Sequence, residues 1–272
     1  MDRLSLNQFT IRDASLTDAV DACVRAGIPA IGLWREHVGQ IGVEAAARYV
    51  TDAGLRVSSL CRGGFLTATD PRERAAAIAD NRAAIEEAAA LGAPCLVLVV
   101  GGLPAGSTDL AGARAAVLDA VGELAPYAGE LGVRLALEAL HPMYCADRAV
   151  LSTLGQALDW AERFPVEQVG VVVDTFHLWW DPAVLDQIAR AGERIASYQV
   201  SDWVTPLPAD VLLGRGMMGD GHIDFAPLTD AVAAAGYRGD IEVEIFNRSV
   251  WETPPDTVLA TMCKRYVDLI AK

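Results

Sequence analysis

Val133-Arg134-Leu135-Ala136-Leu137-Glu138 and Val169-Gly170-Val171-Val172-Val173-Asp174 read alike: each is a short apolar run that ends on a carboxylate. Ala196-Ser197-Tyr198-Gln199 and Ile241-Glu242-Val243-Glu244 repeat the pattern, with an amide closing the first of them. Runs of this length and composition are strand-like. A buried strand feeding a carboxylate is costly unless something pairs with the charge. Three carboxylates and one amide on four successive strands make a bound divalent cation the simplest compensation. Oxygen ligands of this kind suit Mg²⁺ or Mn²⁺. The expected ligand set is Glu138, Asp174, Gln199 and Glu244 around one ion.

Working outward, strand-like and helix-like segments alternate along the whole chain. The other strand-like runs are Ser5–Thr10, Ala30–Trp34, Val57–Leu60 and Cys95–Val100, and the last four extend over Val133–Glu138, Val169–Asp174, Ile195–Ser201 and Ile241–Phe246. Ala-rich amphipathic stretches lie between them: Asp18–Ala26, Val43–Ala53, Pro71–Leu91, Ala111–Leu131, Val150–Arg163, Pro182–Ala191, Phe225–Ala235 and Thr257–Ala271. Glycine follows the helical pattern at Gly27, Gly54, Gly92, Gly132 and Gly236, where a helix C-terminus should fall. Eight strands in strict alternation with eight helices argue for a parallel sheet with helical crossovers. A closed (β/α)₈ barrel accounts for that count without edge strands, and about 250 residues suffice for one. The expected fold class is therefore α/β, a (β/α)₈ TIM barrel in a single domain over residues 1–272. An open doubly wound sheet is the alternative, and it would spread the candidate ligands along a crevice.

Composition narrows the function. The net charge is -14, from 22 Lys and Arg against 36 Asp and Glu, which disfavours nucleic acid as a partner. Hydrophobic residues make up 52% of the chain, enough for a large core, yet no run is long enough for a membrane span. Five cysteines with no CxxC spacing, and a start without a signal-peptide layout, lead us to expect reduced thiols and a cytoplasmic protein.

In a parallel barrel the chemistry sits at the C-terminal ends of the strands. Polar or aromatic residues fall there on every strand. Asn7 and Trp34 are candidates to contact substrate, and Arg62 follows the third strand. His141 follows Glu138 by three residues and His177 follows Asp174 by three. Either histidine can exchange protons near neutrality. Glu138 and Glu244 are the paired carboxylates expected to donate and accept a proton next to a carbonyl held by the cation. Arg215, in Gly214-Arg215-Gly216-Met217-Met218-Gly219-Asp220-Gly221, fits neither a Walker A nor a dinucleotide fingerprint. It is read as part of a long mobile loop over the mouth.

At these residues the chain resembles the xylose-isomerase-like TIM-barrel superfamily of sugar (phosphate) isomerases and epimerases. The resemblance runs over nearly the whole sequence. Its most specific pieces are Leu137-Glu138-Ala139-Leu140, Val173-Asp174-Thr175-Phe176-His177, Val200-Ser201-Asp202-Trp203, Arg215 through Asp224, and Glu242-Val243-Glu244. It implies a metal held by Glu138, Asp174, the residue at 199 and Glu244. It also implies Glu138 and Glu244 as the acid/base pair, with His177 and Arg215 on the substrate. The implied reaction is isomerisation or epimerisation of a small sugar or cyclitol, through an enediolate held by the cation. Three departures stand out: Gln199 replaces a histidine ligand, His141 stands where many relatives carry asparagine, and Tyr144 stands where some epimerases carry glutamate. They resemble C-glycoside deglycosidases, which abstract a proton beside a 3-keto group and expel the aglycone, with a histidine as base. A keto-glycoside substrate is thus the alternative. A non-catalytic barrel, as a homo-oligomer or partner subunit, is a further one.

Overall fold

The computed structural model describes residues 1–271. Eight parallel strands close into a barrel: β1 (Leu4–Asn7), β2 (Ala30–Trp34), β3 (Arg56–Gly64), β4 (Cys95–Val99), β5 (Arg134–Glu138), β6 (Val169–Asp174), β7 (Ile195–Val200) and β8 (Ile241–Val243). Each pairs with its neighbours in sequence, and β8 pairs with β1, Leu6 beside Val243. The alternative open sheet is thereby excluded. The helices at Leu16–Ala26, Val43–Asp52, Pro71–Ala90, Leu110–Glu130, Leu154–Ala161, Val184–Ala191, Phe225–Ala234 and Pro255–Leu269 lie where the periodicity placed them, within a few residues. Asp70 opens one by accepting from the N–H groups of Arg72 and Glu73. Gly27 closes another in the left-handed region, at φ 68°.

Several boundaries differ from the sequence reading, two of them for a clear local reason. The first strand stops at Asn7 because Gln8–Ile11 turns into a 3₁₀ helix, with the Asn7 side chain accepting from Phe9 N–H. The helix expected from Val150 starts at Leu154. Val150 N–H is taken by Gly101 O, and Thr153 caps the helix by accepting from Gln156 N–H. Short helices at Arg35–Ile41, Thr175–Leu178 and Arg248–Trp251 fill loops at the C-terminal mouth.

The main apolar core lies between strands and helices, where alternate strand residues face outward. The barrel interior is different. Around its middle, Ser5, Ser58, Ser59, Asn7, Gln199 and Glu242 form a polar layer. Gly32 on β2 makes room for it: a Cβ there would stand 2.5 Å from the Glu242 carboxylate. No helix among the described residues is long and apolar enough to cross a membrane.

Candidate active site at the C-terminal mouth of the barrel

Strand alternation carries the site. Glu242 and Glu244 on and just beyond β8, Gln199 on β7, Asp174 at the end of β6 and Glu138 at the end of β5 are all buried, and all reach the barrel interior. The cavity above them holds about 540 Å³ and is lined by Glu138, His177, Arg215 and Glu244, together with aromatic side chains. Phe9, Trp34, Phe246 and Trp251 form one continuous aromatic wall, with ring centroids 4.2 Å apart for Phe9 and Trp34 and 4.7 Å for Phe9 and Phe246. Such a wall suits the C–H face of a polyhydroxylated ring or chain.

Arg215 stands among the expected ligands. Its Nη1 donates to Asp174 Oδ2 at 2.8 Å and to Ser201 Oγ at 3.0 Å, and its Nη2 lies 3.2 Å from Glu244 Oε2. Burial opposes its charge, but Asp174, Glu244 and Glu138 outweigh that and hold the guanidinium protonated. The loop that delivers it is tightly held, contrary to the mobile loop expected from sequence. Arg215–Gly216 pairs antiparallel with Asp202–Trp203. The Asp202 carboxylate accepts from the N–H groups of Trp203, Gly219, Gly221 and Ile223.

The expected ligands are gathered in part. Oxygens of Glu138 and Asp174 and a nitrogen of His177 lie within 4.8 Å of one another. Glu244 belongs to a second group with Glu242 and the Cys61 sulfur, and Arg215 bridges the two by touching Asp174 and Glu244. Gln199 adds the most telling atom. Its Nε2 donates to Glu242 Oε1 at 3.2 Å, which fixes the amide so that Oε1 points elsewhere. That Oε1 is buried without a hydrogen-bond partner. A buried acceptor left unpaired among carboxylates is what a cation would satisfy. These buried donors therefore suit a divalent ion, with Glu138 and Asp174 brought together in one group and Gln199 beside the second, around Glu242 and Glu244.

Two residues expected to touch substrate are placed differently. Asn7 does not line the cavity: its Nδ2 donates to Glu242 Oε1 at 2.6 Å and to Glu244 Oε1 at 3.0 Å, and its Oδ1 accepts from Trp34 Nε1 at 2.8 Å. It orients groups that do face the cavity. His141 does not line the cavity either. Its ring packs against Trp203 and Trp180, and its Nδ1 accepts from Met143 N–H. Burial lowers its pKa. Its closest tie to the site is its backbone N–H, 3.2 Å from His177 Nδ1. The base role raised for it in the elimination reading has no geometric support.

His177 is fully buried, and burial holds its pKa down at about 3, so the ring is neutral. Its Nδ1 faces the His141 N–H and its Nε2 faces Arg215 Nη2 at 3.0 Å. A neutral imidazole carries one hydrogen. One of these two contacts therefore sets a donor against a donor, and a ligand oxygen beside His177 and Arg215 would relieve it.

Glu242 was legible as a residue of β8 but not as part of the site. It accepts from Asn7, Ser58, Ser59 and Gln199. The available signal was the two-residue period, which puts it on the same face as Glu244. Partners that orient a metal ligand usually matter to the metal. Glu242→Gln is expected to weaken divalent-ion binding by about 10- to 100-fold in calorimetric titration. Unchanged affinity would show that the Gln199 amide needs no such anchor.

Burial pushes Glu138 well above the ordinary carboxylate range, with Glu244 and Asp174 adding to it. Burial likewise raises Glu244 to about 8, against the pull of Arg215. A carboxyl group raised on folding holds a proton that the unfolded chain has already lost. Its contribution to stability is complete below the ordinary value of 4.5 and is lost as pH climbs toward about 8. In the metal-free protein, urea unfolding should thus show wild type losing stability across this window relative to Glu244→Gln. A flat difference between the two would contradict the assignment.

The profile described as xylose isomerase-like TIM barrel matches residues 20–265. The 3-dehydroshikimate dehydratase of Pseudomonas aeruginosa is 34% identical over 160 residues, which is 56% of this chain and 23% of that protein. The ketose 3-epimerase of Arthrobacter globiformis is 28% identical over 148 residues, 54% of this chain and 45% of that one. The aligned stretches thus cover less than half the length of these two relatives. The crystal structure of protein SMc04130 from Sinorhizobium meliloti 1021 superposes with a TM-score of 0.96 at 48% identity, over 98% of each chain.

Proposed function

This chain belongs to the xylose isomerase-like TIM barrel family, and we propose that it is a divalent-metal-dependent enzyme that moves a proton alpha to a carbonyl of a small polyhydroxylated substrate. Isomerisation or epimerisation of a sugar or cyclitol is the first reading. The observation that carries it is the pair of buried carboxylates, Glu138 and Glu244, facing one cavity from nearly opposite strands.

Glu138, Asp174, Gln199 and Glu244 would hold the ion, Mg²⁺ or Mn²⁺ by the oxygen character of the set. When bound, it polarises the substrate carbonyl and eases the charge that develops on its oxygen. Glu244, steadied by Asn7 Nδ2, takes the proton from the carbon beside that carbonyl. Glu138 returns a proton from the other side. His177 and Arg215 turn N–H groups toward the same space and place a substrate oxygen. The aromatic wall excludes water and presses the carbon skeleton into register.

A second reading, elimination of water or an aglycone after the same first step, is favoured by the similarity to a dehydratase. The proton abstracted by Glu244 is then followed by loss of the leaving group in place of reprotonation. One experiment addresses both. The metal-loaded protein is incubated in D₂O with a panel of ketoses, inososes, keto acids and 3-keto-glycosides. Wash-in of deuterium beside the carbonyl with a new epimer or isomer supports the first reading. Appearance of an unsaturated carbonyl product supports the second. No exchange with any substrate, in protein that binds metal, would sink both.

A further inference from the structure

We infer that the cavity contains a subsite for a substrate carboxylate, built from Arg62 and Arg148. The inference deepens the reading above by naming the charge of the substrate. Both side chains line the cavity that contains Glu138 and Glu244. Arg62 makes no hydrogen bond and no ion pair among the described residues, and its guanidinium carbon lies 4.5 Å from the Phe65 ring centre and 5.9 Å from that of Trp34. The Arg148 Nε is buried without a hydrogen-bond partner, although the side chain as a whole is 38% exposed, and its one acidic contact is the exposed Asp147 at a loose 3.9 Å.

The two guanidiniums share one cavity wall region with no strong ion pair of their own. Burial is the main cause of a lowered pKa at Arg62; Cys61 and Glu36 resist it, and Arg148 adds to it. Holding two cations in one cavity without a close ion pair for either costs stability. A bound anion removes the cost.

The charge count indicates which anion. Arg62 and Arg148 bring two positive charges, which the exposed Asp147 and the cavity-lining Glu36 offset in part. The excess that remains is small, which matches a single carboxylate better than a phosphate dianion. The planar fork of each guanidinium also suits the planar carboxylate. Arg12 is already engaged with Asp13 at 3.3 Å and stacked on Trp251 at 3.9 Å, so it is not a third member.

The test uses the Mg²⁺-loaded protein and matched acid and amide probes: shikimate against its primary carboxamide, and D-arabinonate against D-arabinonamide. Calorimetry should show at least one acid binding about tenfold or more tightly than its amide, the scale of a charge-assisted hydrogen bond. That preference should collapse in Arg62→Gln and in Arg148→Gln, with Mg²⁺ affinity unchanged in both. Equal binding of acid and amide in both pairs, or a preference that survives the double substitution, would overturn the subsite. Tighter binding of D-arabinose 5-phosphate than of either acid would overturn the choice of carboxylate. The two proposals fail separately. A protein that takes up metal and exchanges the alpha proton of a neutral ketose, yet shows no acid preference, lacks the subsite and keeps the function. A protein with the acid preference and no exchange on any substrate keeps the subsite and loses the function.

Discussion

Glu244→Gln should lower turnover by about a hundredfold or more, the usual scale for a lost general base. The substitution keeps the size of the side chain and an oxygen that can face a cation. It also keeps an acceptor for Asn7 Nδ2, which lies 3.0 Å from Glu244 Oε1. What it removes is the capacity to take a proton. Deuterium wash-in should fall in step with turnover, because both pass through the same abstraction. Metal content should be measured on the same sample. Near-normal exchange with metal still bound would remove Glu244 from the proton-transfer step and pass the role to Glu138 or His177.

Arg215→Met should produce the largest loss of stability in the metal-free protein, about 3–5 kcal/mol, the range for removing one partner of a buried ion pair. Arg215 is 2% exposed and touches Asp174 and Glu244, which are buried as well. Methionine fills much of the space beside Phe176 but leaves both carboxylates without a cation. Denaturant unfolding in the presence of a chelator should show the loss, and added Mg²⁺ should recover part of it. Equal losses with and without the ion would mean that the metal and Arg215 do not share the same carboxylates.

Much of this was legible in the chain. Strands such as Val169–Asp174 carry a continuous apolar run that only a doubly buried strand tolerates, and the structure has that strand at the same residues. The ligand candidates were legible because a carboxylate at the end of such a run needs a reason. Other features depend on contacts between distant residues. Glu242 and Gly32 are 210 positions apart, and the missing side chain of one makes room for the other. His141 carries the right chemistry at the right spacing, but Pro142 and the 3₁₀ turn that follows set it against two tryptophans instead of the cavity. Arg215 was expected in a loop over the mouth. Its descent into the site follows from four N–H groups converging on Asp202, a pattern that no local propensity encodes.

Part of the aromatic wall comes from strands other than those that carry the buried carboxylates, and that separation bears on how such a protein diversifies. Glu138, Asp174, Gln199 and Glu244 lie on or just beyond β5 through β8, whereas Phe9, Trp34 and Arg62 project from β1, β2 and β3, and Phe246 and Trp251 complete the wall from beyond β8. A lineage can therefore alter what the cavity accepts through the ends of β1 to β3 and the segment after β8 while leaving the buried carboxylates in place. Directed evolution toward a new substrate should accordingly find its adaptive mutations concentrated in these segments and not at the carboxylates.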